Sequence, residues 1–319
     1  MCKLNIYSLK TLSERSWISR DFLLSCSDGS GRFRKKFFSD HKNSKITDDI
    51  TTCKYIRVVK YGSQMQKFHK WINWELKRFD SKLPLTIYGW VEEKSTIDAI
   101  SIHIRGVPFV FIKSDLSRFF ESIPKEQIFS LFCGKFNCDK IVAEVISNSI
   151  TFPQWPLGSK GELFLARWLH VSSRIAVWSA LNFFKDLCYF FQKKYKKYKP
   201  KISYYVDDIG ISLVTTDQII IDEFMADLVW FVWQIHKNSD FLNLHPDKTN
   251  CTIIKDNNDF VEYLWGKIYM NRKDISNKTT EKTKQLYFLY KKAKTIEEKN
   301  FYAKRLTPLR SYKKRMRSS

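Results

Sequence analysis

The sequence predicts an α+β fold, and three observations predict it. Short apolar runs of strand length end in aspartate or in a tight turn. Longer segments carry apolar residues at helical spacing. The two kinds alternate along the chain, which predicts helices packed on a sheet.

Taking the elements in order, residues 1–60 are polar and irregular in pattern, with a basic-aromatic cluster at Arg32, Phe33, Arg34, Lys35, Lys36, Phe37 and Phe38. Residues 64–79 predict a helix, because Phe68, Ile72 and Leu76 are spaced four apart. The apolar run Phe109-Val110-Phe111-Ile112 predicts a buried strand that ends in Asp115. Residues 163–192 read as one long buried helix, followed by the basic connector of residues 193–201. Residues 202–206 and 209–213 read as two strands of a hairpin with Asp207 and Asp208 at its turn. A helix is expected around Ile219 to Trp233, with Phe224, Leu228, Phe231, Val232 and Ile235 on its apolar face. Strands are expected at residues 251–254 and 263–270, and a basic helical tail from Lys282 onward.

With 319 residues and 44% hydrophobic content, the chain can bury a core in one large domain or two to three subdomains. Ten Gly and eight Pro interrupt it rarely. The net charge is +22, from 55 Lys and Arg against 33 Asp and Glu. Such a charge repels itself in a compact chain unless a polyanion neutralises it; nucleic acid is the obvious polyanion, and a generally basic protein is the alternative. The seven cysteines are odd in number and show no zinc spacing, so free thiols are expected. The N-terminus has no apolar signal-peptide core. The longest apolar stretch, residues 176–191, is broken by Lys185 and Asp186, so no membrane span is expected. A cytoplasmic location follows as an expectation.

Nucleotidyl transfer needs hard cations held by carboxylates on rigid backbone. The segment Tyr204-Tyr205-Val206-Asp207-Asp208-Ile209-Gly210 supplies two adjacent carboxylates at a hairpin turn. Asp115, at the end of an apolar strand, supplies a third; taken alone it reads equally as a helix N-cap. A second Asp-Asp pair, Asp48 and Asp49, is also flanked by apolar residues. It lacks the preceding tyrosine and any preceding strand that ends in Asp, so it reads as a surface turn or a cap.

These segments resemble a bacterial reverse transcriptase of the retron and defence-associated type. Residues 115–123, DLSRFFESI, resemble that family's first catalytic motif, and YVDD at residues 205–208 resembles its second carboxylate box. Tyr88-Gly89-Trp90-Val91, Ser95-Thr96-Ile97-Asp98-Ala99 and His103 are similar to the fingers motif. Pro156-Leu157-Gly158 stands where the family has Pro-Gln-Gly. Residues 242–249, LNLHPDKT, resemble a Lys-Thr segment, and Tyr263-Leu264-Trp265-Gly266 resembles the primer-grip hairpin. The match covers about residues 85–270.

The resemblance implies a right-hand polymerase with fingers at 1–114, palm at 115–270 with a fingers insertion at about 124–160, and a short helical thumb at 271–319. It implies that Asp115, Asp207, Asp208 and the carbonyl of Leu116 bind two Mg2+ ions, with Mn2+ as a substitute. Phe120 is implied as a gate against a ribose 2′-hydroxyl, core packing being the alternative. Gly158 would let the backbone approach the incoming base. Lys248 is implied as proton donor to pyrophosphate, a solvated turn lysine being the alternative, and Lys94 as a triphosphate contact. His103 and His170 read as structural.

The implied substrates are dNTPs, and the implied partners are a noncoding RNA as template and scaffold, a DNA product, and a second defence protein or second copy of the chain. The basic tail, with Tyr302 and Tyr312 interleaved, would lie along the duplex or stack on bases. Three departures mark the chain as divergent: Leu157 replaces the family's Gln, Asp98 stands where retrons carry Asn, and Leu264-Trp265-Gly266 stands near the Val-Thr-Gly motif. Untemplated or protein-primed DNA synthesis, an RNA-binding subunit with a vestigial site, and RNA synthesis are the competing readings.

Overall fold

The computed structural model describes residues 2–27, 59, 61–153, 162–167, 169–239, 242–293 and 295–318. The basic-aromatic cluster at 32–38, the pair Asp48 and Asp49, and Gly158 with its neighbours lie outside the described residues.

The centre is a four-stranded antiparallel sheet in the order β4-β5-β1-β6. Its strands are β1 (Phe109–Asp115), β4 (Lys201–Tyr205), β5 (Asp208–Leu213) and β6 (Asn250–Ile254). β1 is buried on both faces, and its alternation explains how. Val110 and Ile112 enter one apolar cluster with Ile209, Ile211 and Leu213. Phe109 and Phe111 enter a second cluster on the other face. A continuous apolar run is therefore needed where an edge strand would have alternated with polar residues.

Helices cover the first face. The helices α7 (Ser172–Ser179) and α8 (Leu181–Lys194) follow each other, and α9 (Gln218–Ser239) packs beside them. The Phe184 ring lies 4.5 Å from that of Tyr204 on β4, and Phe191 lies 4.3 Å from Phe224 of α9. On α9, Phe224, Leu228, Phe231 and Val232 are buried as the periodicity predicts, whereas Ile219, Trp230 and Trp233 face outward. The second face is covered by the short helix α4 (Thr96–Ser101) and a three-stranded sheet, β7 (Phe260–Tyr263), β8 (Gly266–Tyr269) and β9 (Lys273–Ile275).

Four expectations are corrected. The N-terminal region is not irregular throughout: α1 (Leu9–Ser16) and α2 (Arg20–Ser27) bury Leu9, Leu12 and Leu23 against the core. Residues 163–192 are not one helix. Leu163–Leu165 form β3, paired antiparallel with β2 (Thr151–Pro153), before α7 begins. Residues 263–270 are not one strand, because Leu264 and Trp265 form the two-residue turn between β7 and β8. Leu264 takes a φ of 54° there, the left-handed geometry of a tight hairpin turn.

The fourth correction concerns the tail. It forms α10 (Asn277–Lys292) and α11 (Ile296–Ser318), but Tyr312 is buried and meets Trp265 edge-on at 6.2 Å. With Met316 it anchors α11 on the second cluster, so it is not presented for stacking.

The remaining helices form one flank. α3 (Gln64–Lys77), α5 (Lys125–Ser130) and α6 (Lys140–Ile150) bury Phe68, Ile72, Leu76, Ile128, Val142 and Ile146 in the first cluster. Arg174 of α7 ties this flank to the centre. Its guanidinium reaches Asp80 Oδ2 at 2.8 Å and the Trp90 carbonyl at 2.7 Å, and it also bonds Asn73. Among the described residues, no helix is long and apolar enough to cross a membrane. The described cysteines are free thiols.

Candidate active site

Register brings the three aspartates to one end of the central sheet. In the antiparallel pairing of β1 with β5, Asp115 stands directly opposite Asp208. Directly opposite residues send their side chains to the same face of a sheet, about 5 Å apart at Cα. Asp208 also pairs with Tyr205 of β4, so the β4–β5 connection is the two-residue turn Val206-Asp207. Val206 holds a φ of 64° in that turn. The Leu116 N–H donates to the Asp207 carbonyl at 2.9 Å, which locks the turn onto the end of β1.

The turn is braced from outside. Residues 86–89 run beside β4, with the Tyr204 N–H donating to the Thr86 carbonyl and the Tyr88 N–H to the Tyr204 carbonyl, each at 2.8 Å. Gly89 then passes so close that a Cβ there would lie 2.6 Å from the Val206 backbone nitrogen. Gly210 is required for a similar reason: its missing Cβ leaves room for the Tyr263 ring, at 2.7 Å.

Below the carboxylates lies a buried polar layer. His103 bridges the Ser203 hydroxyl at 2.8 Å and the Ser212 hydroxyl at 2.9 Å. Burial, then the charges of Arg105 and Lys201, pushes its pKa down to about 3, so the ring is neutral. His103 thus joins β4 to β5.

The Lys-Thr segment closes over the site. His245 donates its N–H to the Asp115 carbonyl at 2.8 Å, and the turn Pro246–Lys248 follows. Lys248 Nζ then donates to Asp115 Oδ2 at 2.6 Å. The Thr249 and Ser114 hydroxyls share a bond of 2.8 Å. Two adjacent residues of one segment therefore grip two adjacent residues of β1.

The electrostatics favour a cation. Asp208 is pushed up to about 7, first by burial and then by the charges of Asp207 and Asp115. Asp207 is raised by burial and by Asp115, against the pull of Arg167 and Lys248. Carboxylates that raise one another in this way are stabilised when a hard cation replaces the shared proton. Among the described residues, however, no three carboxylate, His or Cys side chains already surround a common point. Lys248 holds Oδ2 of Asp115, one of the two oxygens this carboxylate could offer a metal ion. The donor chemistry, three carboxylates and a backbone carbonyl, is of the hard-oxygen kind that suits magnesium.

The other expected residues fall into two groups. Phe120 is buried beside the site, on the loop that leaves β1, with the Arg167 guanidinium over its ring at 5.1 Å. Lys94 is committed elsewhere: its ammonium donates to the carbonyls of Pro84 at 3.2 Å, Leu85 at 3.1 Å and Ile87 at 2.8 Å. It holds the strand-like segment beside β4, which gives no support to a triphosphate contact. Sequence reasoning missed Arg167 and its partner Glu121. Arg167 Nε and Nη2 donate to both carboxylate oxygens of Glu121, at 2.6 and 2.7 Å. A lone Arg in LFLARW carries no local signal, and the pair forms only when β3 returns to the β1 loop.

No protein-family model matches the chain, and no curated protein matches it. Among solved structures, it is similar to a telomerase from Candida albicans, in complex with a TWJ fragment of telomeric RNA, at 10% identity with a TM-score of 0.45, over 74% of this chain and 48% of that one. It is also similar to apo telomerase from Candida tropicalis in two structures. One, truncated from the C-terminal domain, matches at 10% identity with a TM-score of 0.44, over 69% of this chain and 49% of that one. The other matches at 10% identity with a TM-score of 0.46, over 68% and 41%. The chain thus spans about half or less of the length of those telomerases.

Proposed function

We propose that this chain is an RNA-directed DNA polymerase that adds dNTPs through a magnesium-dependent site formed by Asp115, Asp207 and Asp208. One observation carries the reading: the register that sets Asp115 opposite Asp208, with Asp207 in the turn bonded to Leu116. Three carboxylates at adjoining strand ends, two of them raised in pKa, form an arrangement a stable core would avoid without a ligand.

The three carboxylates and the Leu116 carbonyl would hold the metal, with two Mg2+ ions as the expected number and Mn2+ as a substitute. When bound, the metal pair would acidify the primer hydroxyl and stabilise the leaving pyrophosphate. Lys248 has an ammonium already at the carboxylates and is the residue assigned to protonate the pyrophosphate. Phe120 is assigned to exclude the ribose 2′-hydroxyl, and Gly158 to admit the incoming base. In these terms the central sheet is the palm, the N-terminal helices belong to the fingers, and α10 with α11 is the thumb.

A net charge of +22 and the basic faces of α10 and α11 support an RNA partner. From the resemblance we carry over a dedicated noncoding RNA as template and scaffold, a DNA product, a cytoplasmic role in antiphage defence, and a second defence protein or second copy as partner.

The test is incorporation of labelled nucleotide by the purified chain with its copurified RNA and Mg2+, beside an Asp207→Asn, Asp208→Asn double variant. The expected result is dNTP incorporation by the wild type alone, abolished by RNase. Incorporation that survives RNase turns the reading to untemplated or protein-primed synthesis. An inactive chain that still binds RNA tightly, even with primer and template supplied, replaces it with a binding subunit.

A further inference from the structure

Phe120 is useful as a gate only if its ring is fixed. A ring on a loop that leaves a strand is held by whatever covers it. Phe119, its neighbour, is fully buried and anchors the backbone. Phe120 is covered on one face by the Arg167 guanidinium.

That guanidinium is itself immobile. Its Nε and Nη2 edge is taken up by Glu121 in a bidentate pair, with both side chains mostly buried at 15% and 18% exposure. The backbone on each side is tied. The Leu165 N–H donates to the Ile123 carbonyl at 2.9 Å, and Pro124 bridges to Phe164. Glu121, Phe120 and Arg167 therefore sit on two segments clamped together just beyond the pair. Arg167 also lies within electrostatic reach of Asp115 and Asp207, which favour its charged form. The cation thus lies over the ring and within electrostatic reach of the carboxylates.

We infer that Arg167, oriented by Glu121, is a positioning residue that fixes Phe120 and so sets the discrimination between deoxyribonucleotides and ribonucleotides. This rests on the polymerase reading. Arginine suits the task because its planar head uses one edge for the carboxylate while its face covers the ring. Glu121 fixes the plane, and the plane fixes the ring against the rotation that would admit a 2′-hydroxyl.

The test measures kcat/KM for single dNTP and matching rNTP additions on a supplied primer and template. It compares the wild type with Phe120→Val, Arg167→Gln, Arg167→Lys, Glu121→Gln and the Phe120→Val, Arg167→Gln double variant. Arg167→Gln and Glu121→Gln are expected to lower the dNTP-to-rNTP ratio about tenfold, chiefly through faster rNTP addition. Arg167→Lys, which keeps the charge without the planar face, is expected between them and the wild type. The double variant is expected to match Phe120→Val alone, because both changes act through one ring.

Equal loss of dNTP and rNTP addition in Arg167→Gln, with Glu121→Gln unaffected, overturns the inference and makes Arg167 a direct phosphate contact or a brace. Additive effects in the double variant overturn it as well. Thermal melting screens each variant for folding, and Glu121→Gln, the mildest change, decides if Arg167→Gln unfolds. A wild type that adds neither nucleotide overturns the polymerase reading and this inference together; an active wild type with an unmoved ratio overturns this inference alone.

Discussion

Lys248 donates its ammonium to Asp115 at 2.6 Å, across 133 residues of sequence. The same carboxylate stands opposite Asp208 on the neighbouring strand. Lys248 therefore sets a positive charge against the carboxylates, where the proposed metal would compete with it.

Replacing Lys248 by Met should separate these two effects. Without the competing ammonium, the Mg2+ concentration for half-maximal thermal stabilisation is expected to fall a few-fold. If the lysine also delivers a proton to pyrophosphate, nucleotide addition is expected to fall by about a hundredfold. Melting curves over a magnesium series and single-turnover rates measure the two outcomes separately.

The raised pKa of Asp208 predicts how stability depends on pH. Unfolded, this carboxyl titrates near pH 4; folded, it is pushed up to about 7, mainly by burial. Between those values the folded chain holds a proton that the unfolded chain has lost. Stability of the metal-free protein should therefore fall as pH rises through this window. Asp208→Asn should flatten the slope, and Mg2+ should stabilise more at pH 8 than at pH 6. Thermal melts across pH 4 to 9, with and without Mg2+, test both signs.

Gly89 and Gly210 are predicted to fail differently when changed to Ala. At Gly89 the new methyl would meet the Val206 backbone at 2.6 Å, so the turn carrying Asp207 must move. Gly89→Ala is expected to cost nucleotide addition more than stability. At Gly210 the methyl would meet the Tyr263 ring, in the second apolar cluster. Gly210→Ala is expected to cost about 1–3 kcal/mol of stability. Denaturant melts paired with incorporation assays distinguish them.

The buried pair of Arg174 and Asp80 is predicted to hold the helical flank to the sheet. Arg174→Met strands the Asp80 carboxylate and should destabilise by about 3–5 kcal/mol. Combining it with Asp80→Asn should recover part of that loss, because the uncompensated charge is gone. Urea unfolding of the two variants provides the comparison.

Much of the site was legible in sequence because strands announce themselves by composition. An apolar run ending in Asp115, and two more flanking Asp207-Asp208, matched β1, β4 and β5 within a residue or two. The helical periodicity of α3 and α9 was legible for the same reason. What failed was short or non-local. The eight-residue helices α1 and α2 are too short to persist without packing. β3 is a three-residue strand defined only by its pairing to β2, and its leucines read equally well as part of a helix.

The sequence by itself determined the charge, the three carboxylates on strand ends and the Lys-Thr segment, since each is written in contiguous residues. Only the tertiary structure decided which groups meet. It set Asp115 opposite Asp208, gave Asp115 to Lys248, committed Lys94 to backbone carbonyls, buried Tyr312, and placed Arg167 over Phe120. The reason is physical: a strand is specified by local burial, whereas a contact between residues far apart depends on register and loop closure that no local pattern encodes.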